Sequence, residues 1–494
     1  MLAAAGRPGW GQRDRPCRGR GLENHRMTSA SAPPPARPPR ATLPADPAGE
    51  PPASQSVFQL AWPLMVSFVM RSLFNLVDTF FAATVGDAAV AAIGMTIPLE
   101  MAFVAVWVGS SNALTSLLGR SFGERAGERV EQLKRAGYAL VAVLGPMFVG
   151  IGLAVWWLGP RLGLEPELGH NFGIYAGVLI GGTGLTGFWS IVPDSVVKAH
   201  HDTRSTMVAG ILSNLANLAL NTLFVFGFGW GISGIALSTV LGRLAGLSYA
   251  LARARALERR RVAAWSGSAV PGRERRPLLR IAVLAVPSAL GTLLVGTETA
   301  VANALLAQLP DEVAAVAAFG IYYRFVYLGL MPMIATSVAL LPFVARHYGA
   351  RNFGVIRRGL RQALGGGLAV VALVVAPLFW LGAEPIVQLL TEAERAHAYA
   401  VWALRFVPVA CAAAYPFFVY RPLFEGIGRF VPGLVVAALR HVALAVPLAL
   451  AGMRLAPAAG LSAFAGVLVG LAAAAALASL VFALWSRRLQ LGDG

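Results

Sequence analysis

Residues 90–94 read Val90-Ala-Ala-Ile-Gly94, and residues 316–320 read Val316-Ala-Ala-Phe-Gly320. A second pair obeys the same rule: Arg120-Ser-Phe-Gly-Glu-Arg125 and Arg346-His-Tyr-Gly-Ala-Arg351. Both pairs are separated by the same 226 residues, and each lies at corresponding ends of a long apolar run. An identical offset at identical positions marks an internal repeat, so the chain is expected to hold two related halves.

The apolar runs set the size of each half. Of 494 residues, 56% are hydrophobic and 13% charged, where a soluble domain is about a quarter charged. Mean hydropathy is +0.64. A soluble globule of this length cannot hide that much apolar surface, so the excess must face lipid. From Val57 onward we read twelve runs long enough to cross about 30 Å of hydrocarbon: 57–84, 89–118, 135–158, 169–197, 205–227, 231–252, 278–308, 313–344, 359–382, 396–424, 430–452 and 457–485. Prolines 63, 98, 287, 332 and 408 mark expected kinks, and Gly173, Gly177 and Gly181 form a small-residue face suited to close packing. The expected fold is an all-α membrane protein with twelve transmembrane helices in two pseudo-symmetric six-helix bundles. Six is even, so the halves share an orientation. Parallel repeats of this kind are typical of alternating-access transporters, although channels use repeats too.

The net charge of +17 alone would suggest a nucleic-acid binder. Its placement says otherwise. Of 41 basic residues, 33 fall in the segments that alternate onto one side, three fall on the other, and five lie within spans. That is the positive-inside pattern, with both termini cytoplasmic. The expected organisation is a disordered Arg/Pro-rich cytoplasmic tail (1–52), an N-terminal lobe (53–252), a basic cytoplasmic linker (253–277), a C-terminal lobe (278–486) and a short cytoplasmic end (487–494). Met27 is an alternative start. The tail lacks the apolar core of a signal peptide. The two cysteines, Cys17 and Cys411, lie in a polar and an apolar segment, which argues against a disulfide or a cysteine metal site. Lys134 and Lys198 are the only lysines, and neither sits in a phosphate-binding loop, so a single-chain ATP-driven pump is not expected.

Ionisable groups inside lipid spans are costly and are candidate functional sites. Asp78 is the sharpest, with Asn75 three residues earlier on the same helix face. Asn214, Asn217 and Asn221 line one face of the fifth span, and Thr239 lies in the sixth. At 1.5 Å per residue, Asp78, Asn217, Asn221 and Thr239 all fall roughly 9–15 Å below the outer surface. One carboxylate, two amides and a hydroxyl at one depth suit Na⁺ or H⁺. The plainer alternative pairs Asp78 with Arg71 or Arg243. The acid is not duplicated, because the position 226 beyond Asp78 is Ala304. In the second half, Glu298 faces three arginines at comparable depth: Arg324, Arg405 and Arg440. Either these line a wet cavity that accepts anionic groups, or Glu298 and Arg324 form a structural pair, which is the favoured reading. Glu100 is either a cavity residue or the partner of Arg243. Asp194 and Glu425 lie near the cytoplasmic ends and are set aside. His200 and His201 are read as a solvated loop.

Leu73-Phe-Asn-Leu-Val-Asp-Thr79, followed by Gly86-Asp-Ala-Ala-Val-Ala-Ala-Ile-Gly94, resembles the first-helix signature of the multidrug and toxic compound extrusion family. His201-Asp-Thr-Arg204 resembles its loop before helix 5. The run from Asn217 to Gly227, with Gly231-Ile-Ser-Gly-Ile-Ala-Leu-Ser-Thr239, resembles its helix 5–6 signature. The resemblance covers about 57–485 and is nearest the prokaryotic DNA-damage-inducible-type branch. It implies a bacterial inner-membrane protein that exports organic, cationic or amphipathic compounds in exchange for Na⁺ or H⁺, with a small-molecule substrate, membrane lipid around it, no nucleic acid, no cofactor, no enzymatic activity and a monomeric state. Its N-lobe cation site maps onto Asp78, Asn217 and Thr239. The fourth position, normally aspartate, is Asn221 here, which removes a negative charge and favours H⁺ over Na⁺. Glu298 lies about one turn past the helix-7 glutamate of another branch, and with Asn75, Glu100 and Arg324 it is assigned to the substrate cavity. Two rival readings are a lipid-linked precursor flippase of the same superfamily and a membrane-embedded enzyme.

Overall fold

The computed structural model describes residues 56–266, 270–390 and 393–489, with the side chains of residues 71–76 also left out. The expected tail 1–52, most of the expected end 487–494, and the side chains of Arg71 and Asn75 therefore lie outside the described residues.

Among the described residues there is no strand. The first helix, α1, spans Val57–Val85. Its start is written locally: the Ser56 hydroxyl accepts from the Gln59 backbone N–H, and the Gln59 side chain accepts from the Ser56 N–H. This reciprocal cap satisfies two N–H groups that the helix itself cannot. Eleven further helical segments are long and apolar enough to cross a membrane. They are α2 (Asp87–Gly123), α3 (Gly127–Arg161), α4 (Pro166–Ala199), α5 (Thr203–Gly227), α6 (Gly231–Trp265), α7 (Pro277–Leu306), α8 (Glu312–Gly349), α9 (Phe353–Leu390), α10 (Glu394–Gly426), α11 (Val431–Ala459) and α12 (Ala463–Arg487). With the 29 residues of α1, about 44 Å of helix, they make the twelve that the sequence predicts. Their outer faces are greasy: Leu381 is 82% exposed and Leu389 87%. Such surfaces are stable only against lipid.

Close approach depends on glycine. Gly152 and Gly159 of α3 meet Gly173, Gly177 and Gly181 of α4, so that a Cβ on Gly177 would stand 2.6 Å from that of Trp156. The small-residue face read from the sequence is thus the α3–α4 interface. The repeat has its own contact. A side chain on Gly123 would run into the Arg346 carbonyl, and one on Gly349 into the Arg120 carbonyl. These residues are 226 apart in pairs, so α2 and α8 interlock reciprocally at their arginine-rich ends. Arg125 and Arg351, also repeat partners, both turn the chain with positive φ, 55° and 57°.

Among the described residues three helices contain a wide π-turn: Thr222–Gly227 in α5, Val371–Val375 in α9 and Leu439–Leu444 in α11. Helix α6 continues to Trp265, beyond the apolar run that ends near 252. Its charged extension is held by contacts within the protein: Arg261 donates to Glu131 at 2.7 Å and to Glu258 at 2.8 Å.

Gly123→Val is expected to destabilise the protein by about 1–3 kcal/mol, because the α2–α8 crossing cannot take the added volume. A Cβ on Gly365 meets no atom within 4 Å, so Gly365→Val serves as the control. Equal thermal unfolding midpoints for the two variants would refute the contact.

Candidate functional site

Asp78 of α1 is 3% exposed. Its Oδ1 accepts from the side-chain amides of Asn217 at 3.2 Å and Asn221 at 3.0 Å, and its Oδ2 accepts from the Thr239 hydroxyl at 2.7 Å. Local sequence explains the convergence. Asn217 and Asn221 are four residues apart, so they share a face of α5. The brief connection through Phe228, Gly229 and Trp230 returns the chain as α6, and Thr239 lies two turns in. The Thr239 hydroxyl also lies 3.0 Å from the Ile235 carbonyl. Its single proton goes to the carboxylate, the closer and charged acceptor. The structure brings all four residues predicted for the cation site together.

A fifth member escaped the sequence reading. Ser238 is fully buried and donates to Asn221 Oδ1 at 2.6 Å, which orients that amide so its NH₂ faces Asp78. Its position beside Thr239 was the available signal. Asn214 is not part of the cluster; its amide turns back to the Gly210 carbonyl of its own helix at 2.9 Å. Glu100 takes Arg243 as its partner, at 2.9 Å, and Arg243 also donates to Thr183 at 2.7 Å. Arg243 is thereby engaged away from Asp78.

In the second bundle the expected Glu298–Arg324 pair is corrected. Glu298 accepts from His441 Nδ1 at 2.7 Å and from Arg440 at 3.4 Å, both on α11. Arg324 is exposed and bonds to nothing among the described residues. The reason is rotational: Tyr322 is buried, and a residue two places along a helix points some 200° away. Arg405 is exposed as well, 3.9 Å from Glu384. His441 was missed by sequence reasoning because nothing in its apolar run distinguishes a carboxylate-facing histidine from a packed one.

Glu425, set aside from the sequence, sits in a buried network. Its carboxylate accepts from Arg421 at 2.9 Å, Ser288 at 3.1 Å and Asn112 at 3.1 Å, tying α10 to α7 and to α2 of the other half. Asp194 pairs with Lys198 at 2.6 Å. The solvated reading of His200 and His201 also fails, because α6 and α8 cover their loop. His200 lies 2.9 Å from Glu258, and His201, 6% exposed, meets the Pro342 carbonyl of α8 at 3.2 Å. Burial holds both imidazoles below the usual histidine range, His201 well below, with Arg346 adding to the effect there. Glu258 opposes it at His200.

The MatE family model matches residues 63–223 and 287–451. Among curated proteins the chain is similar to an FAD transporter of Shewanella oneidensis, 26% identical over 81% of this chain and 88% of that protein. It is also similar to a probable multidrug resistance protein NorM of Thermotoga maritima, 24% identical over 68% of this chain and 72% of that protein. Among solved structures, a superfamily transporter of Pyrococcus furiosus, described as having a binding pocket of reverse polarity, aligns with a TM-score of 0.77 at 22% identity, covering 90% of this chain and 98% of that one. The Vibrio cholerae MATE transporter VcmN, in its bent form, aligns with a TM-score of 0.76 at 24% identity, covering 87% and 95%.

A buried neutral histidine has a defined pH signature. The unfolded chain takes up protons at His200 and His201 below about pH 6.5, while the folded chain resists. The unfolded state then binds more protons, so stability is expected to fall from pH 7 to pH 5. His201→Asn should flatten that slope in thermal unfolding measurements. An unchanged slope would contradict the burial of His201.

Proposed function

The chain belongs to the MatE family of membrane transporters, and from that premise we propose that it is a proton-coupled antiporter exporting organic, cationic or amphipathic compounds. Asp78 carries the coupling proton, with Asn217, Asn221, Thr239 and Ser238 shaping the carboxylate. The supporting observation is the set of three donors on one buried carboxylate. Protonation at Oδ2 asks only that the Thr239 hydroxyl turn from donor to acceptor. A sodium ion would have to displace the amide N–H groups and recruit oxygens in their place. It would meet a single negative charge, since the fourth position is Asn221 rather than an aspartate.

Transport proceeds by alternating access between lobes 53–252 and 278–486, joined by the linker 253–277. The interlocked ends of α2 and α8, with the His201–Pro342 contact, are the closed cytoplasmic side of that cycle. Proton binding at Asp78 biases the lobes toward one arrangement and release toward the other, which is how differential affinity drives a two-state element. The protein acts as a monomer in the bacterial cell membrane, termini cytoplasmic, and needs no cofactor. Glu100 and Glu298 lie in spans beside the cavity in this reading.

A second reading concerns the cargo. The exposed in-span residues Arg324 and Arg405, with buried Arg440, favour a compound carrying negative groups, as a flavin dinucleotide does, over a purely cationic drug. A lipid-linked precursor with its pyrophosphate falls in the same chemical class.

Reconstituted in proteoliposomes, the protein should drive efflux of a fluorescent organic cation from a pH gradient and not from a Na⁺ gradient alone. Asp78→Asn should lower the gradient-driven rate at least tenfold. Retained proton-coupled efflux in that variant would sink the mechanism, and activity driven by Na⁺ alone would reverse the choice of ion.

A further inference from the structure

Arg440 and His441 are consecutive residues in the π-turn Leu439–Leu444 of α11, 7% and 2% exposed. Both reach Glu298 of α7, His441 through Nδ1 at 2.7 Å and Arg440 through Nη2 at 3.4 Å. The remaining polar atoms of the pair are unmatched. Arg440 Nε, Arg440 Nη1 and His441 Nε2 are buried and have no hydrogen-bond partner among the described residues. No other adjacent pair of side chains among the described residues carries three such atoms. Buried polar groups are otherwise nearly always matched, and charged ones within a lipid-embedded bundle most of all.

The surroundings leave Arg440 with spare hydrogen-bond donors. Glu298 is the carboxylate that reaches it, and it shares itself with His441. Arg421, a nearby arginine on α10, spends its Nε on Glu425 and its Nη2 on Ser288 and Thr292. The Arg440 guanidinium lies over the Phe417 ring, 5.3 Å from its centroid. Stacking takes up its face and leaves the in-plane N–H groups for an acceptor. An oxyanion suits them, since a guanidinium matches carboxylate and phosphate oxygens. An organic cation does not.

We propose that Arg440 and His441 form an oxyanion-binding site in the C-terminal bundle, taking a phosphate or carboxylate group of the transported compound, with His441 taking up a proton at Nε2 as the anion binds so that Nδ1–H keeps Glu298 and Nε2–H donates to the anion. Its link to transport rests on the second reading above, of a cargo carrying negative groups; the site itself does not. The N-terminal bundle then handles the coupling ion and the C-terminal bundle an anionic group of the cargo.

Direct binding tests this. The purified full chain in lipid nanodiscs is titrated calorimetrically with sodium pyrophosphate or sodium citrate, against sodium chloride at matched ionic strength. Saturable binding of one oxyanion per chain is expected. Preference for pyrophosphate assigns a phosphate, and preference for citrate a carboxylate. Arg440→Gln should weaken binding at least tenfold, while Arg440→Lys keeps part of it. His441→Asn, whose amide can still donate to Glu298, should weaken it three- to tenfold, and this carries the test if Arg440→Gln does not fold. No saturable binding to the wild type overturns the proposal. So does unchanged affinity in both Arg440→Gln and His441→Asn, which would place the ions on the arginine-rich loops. Asp78→Asn separates the two readings: it should lose coupled efflux and bind the oxyanion as the wild type does.

Discussion

Within hydrocarbon a polar group has no water to turn to, and every charged or amide side chain must find its partner in the protein itself. That constraint organises this molecule. The carboxylates described within its bundles are each surrounded by donors from other helices: Asp78 by α5 and α6, Glu100 by α6, Glu298 by α11, and Glu425 by α2 and α7 as well as its own helix. Each such set pins at least two helices in rotation as well as in depth. The apolar faces supply most of the buried area, but they tolerate sliding; a carboxylate with directional donors does not. The sites that fix the packing are therefore the same ones available for function, and a change of protonation at one is a change in how two helices fit.

The two halves use this constraint differently. In the first, the carboxylate is matched by neutral donors, so its charge can be removed by one proton without stranding a cation. In the second, Glu298 is matched by Arg440 and His441, and protonating it would leave a guanidinium alone. The first arrangement suits a group that gains and loses a proton during a cycle; the second suits a fixed electrostatic surface. The same asymmetry separates Glu100, locked to Arg243, from Asp78.

Position along each span could be counted from the sequence, and for the first site residues counted to one level are the ones that meet. Counting along the spans gathers Asp78, Asn217, Asn221 and Thr239, because α5 and α6 are joined by so few residues that their register is forced. The 226-residue offset likewise marks α2 and α8 as counterparts in the two halves, though not that they touch. Rotation was not legible. Whether Glu298 meets Arg324 or Arg440 depends on how α7, α8 and α11 turn about their axes, and spacing within one helix is silent on that. The burial of His201 and the extension of α6 were missed for a related reason. Charged residues beyond an apolar run look solvated until a second charged helix is packed against them, as α3 is here with Glu131 and Lys134.

The reciprocal seating of Gly123 on Arg346 and of Gly349 on Arg120 has the form of a two-fold dimer interface, in which one patch meets its own copy. Here both copies belong to one polypeptide. A true dimer of identical subunits must carry every site twice, since any substitution appears on both sides of the axis. Two repeats in one polypeptide are released from that rule while keeping a reciprocal interface. The position equivalent to Asp78 is Ala304, and those equivalent to Arg440 and His441 are Asn214 and Leu215. The glycine seam keeps the symmetry, while the acid of the first half and the arginine–histidine pair of the second are free to differ across it.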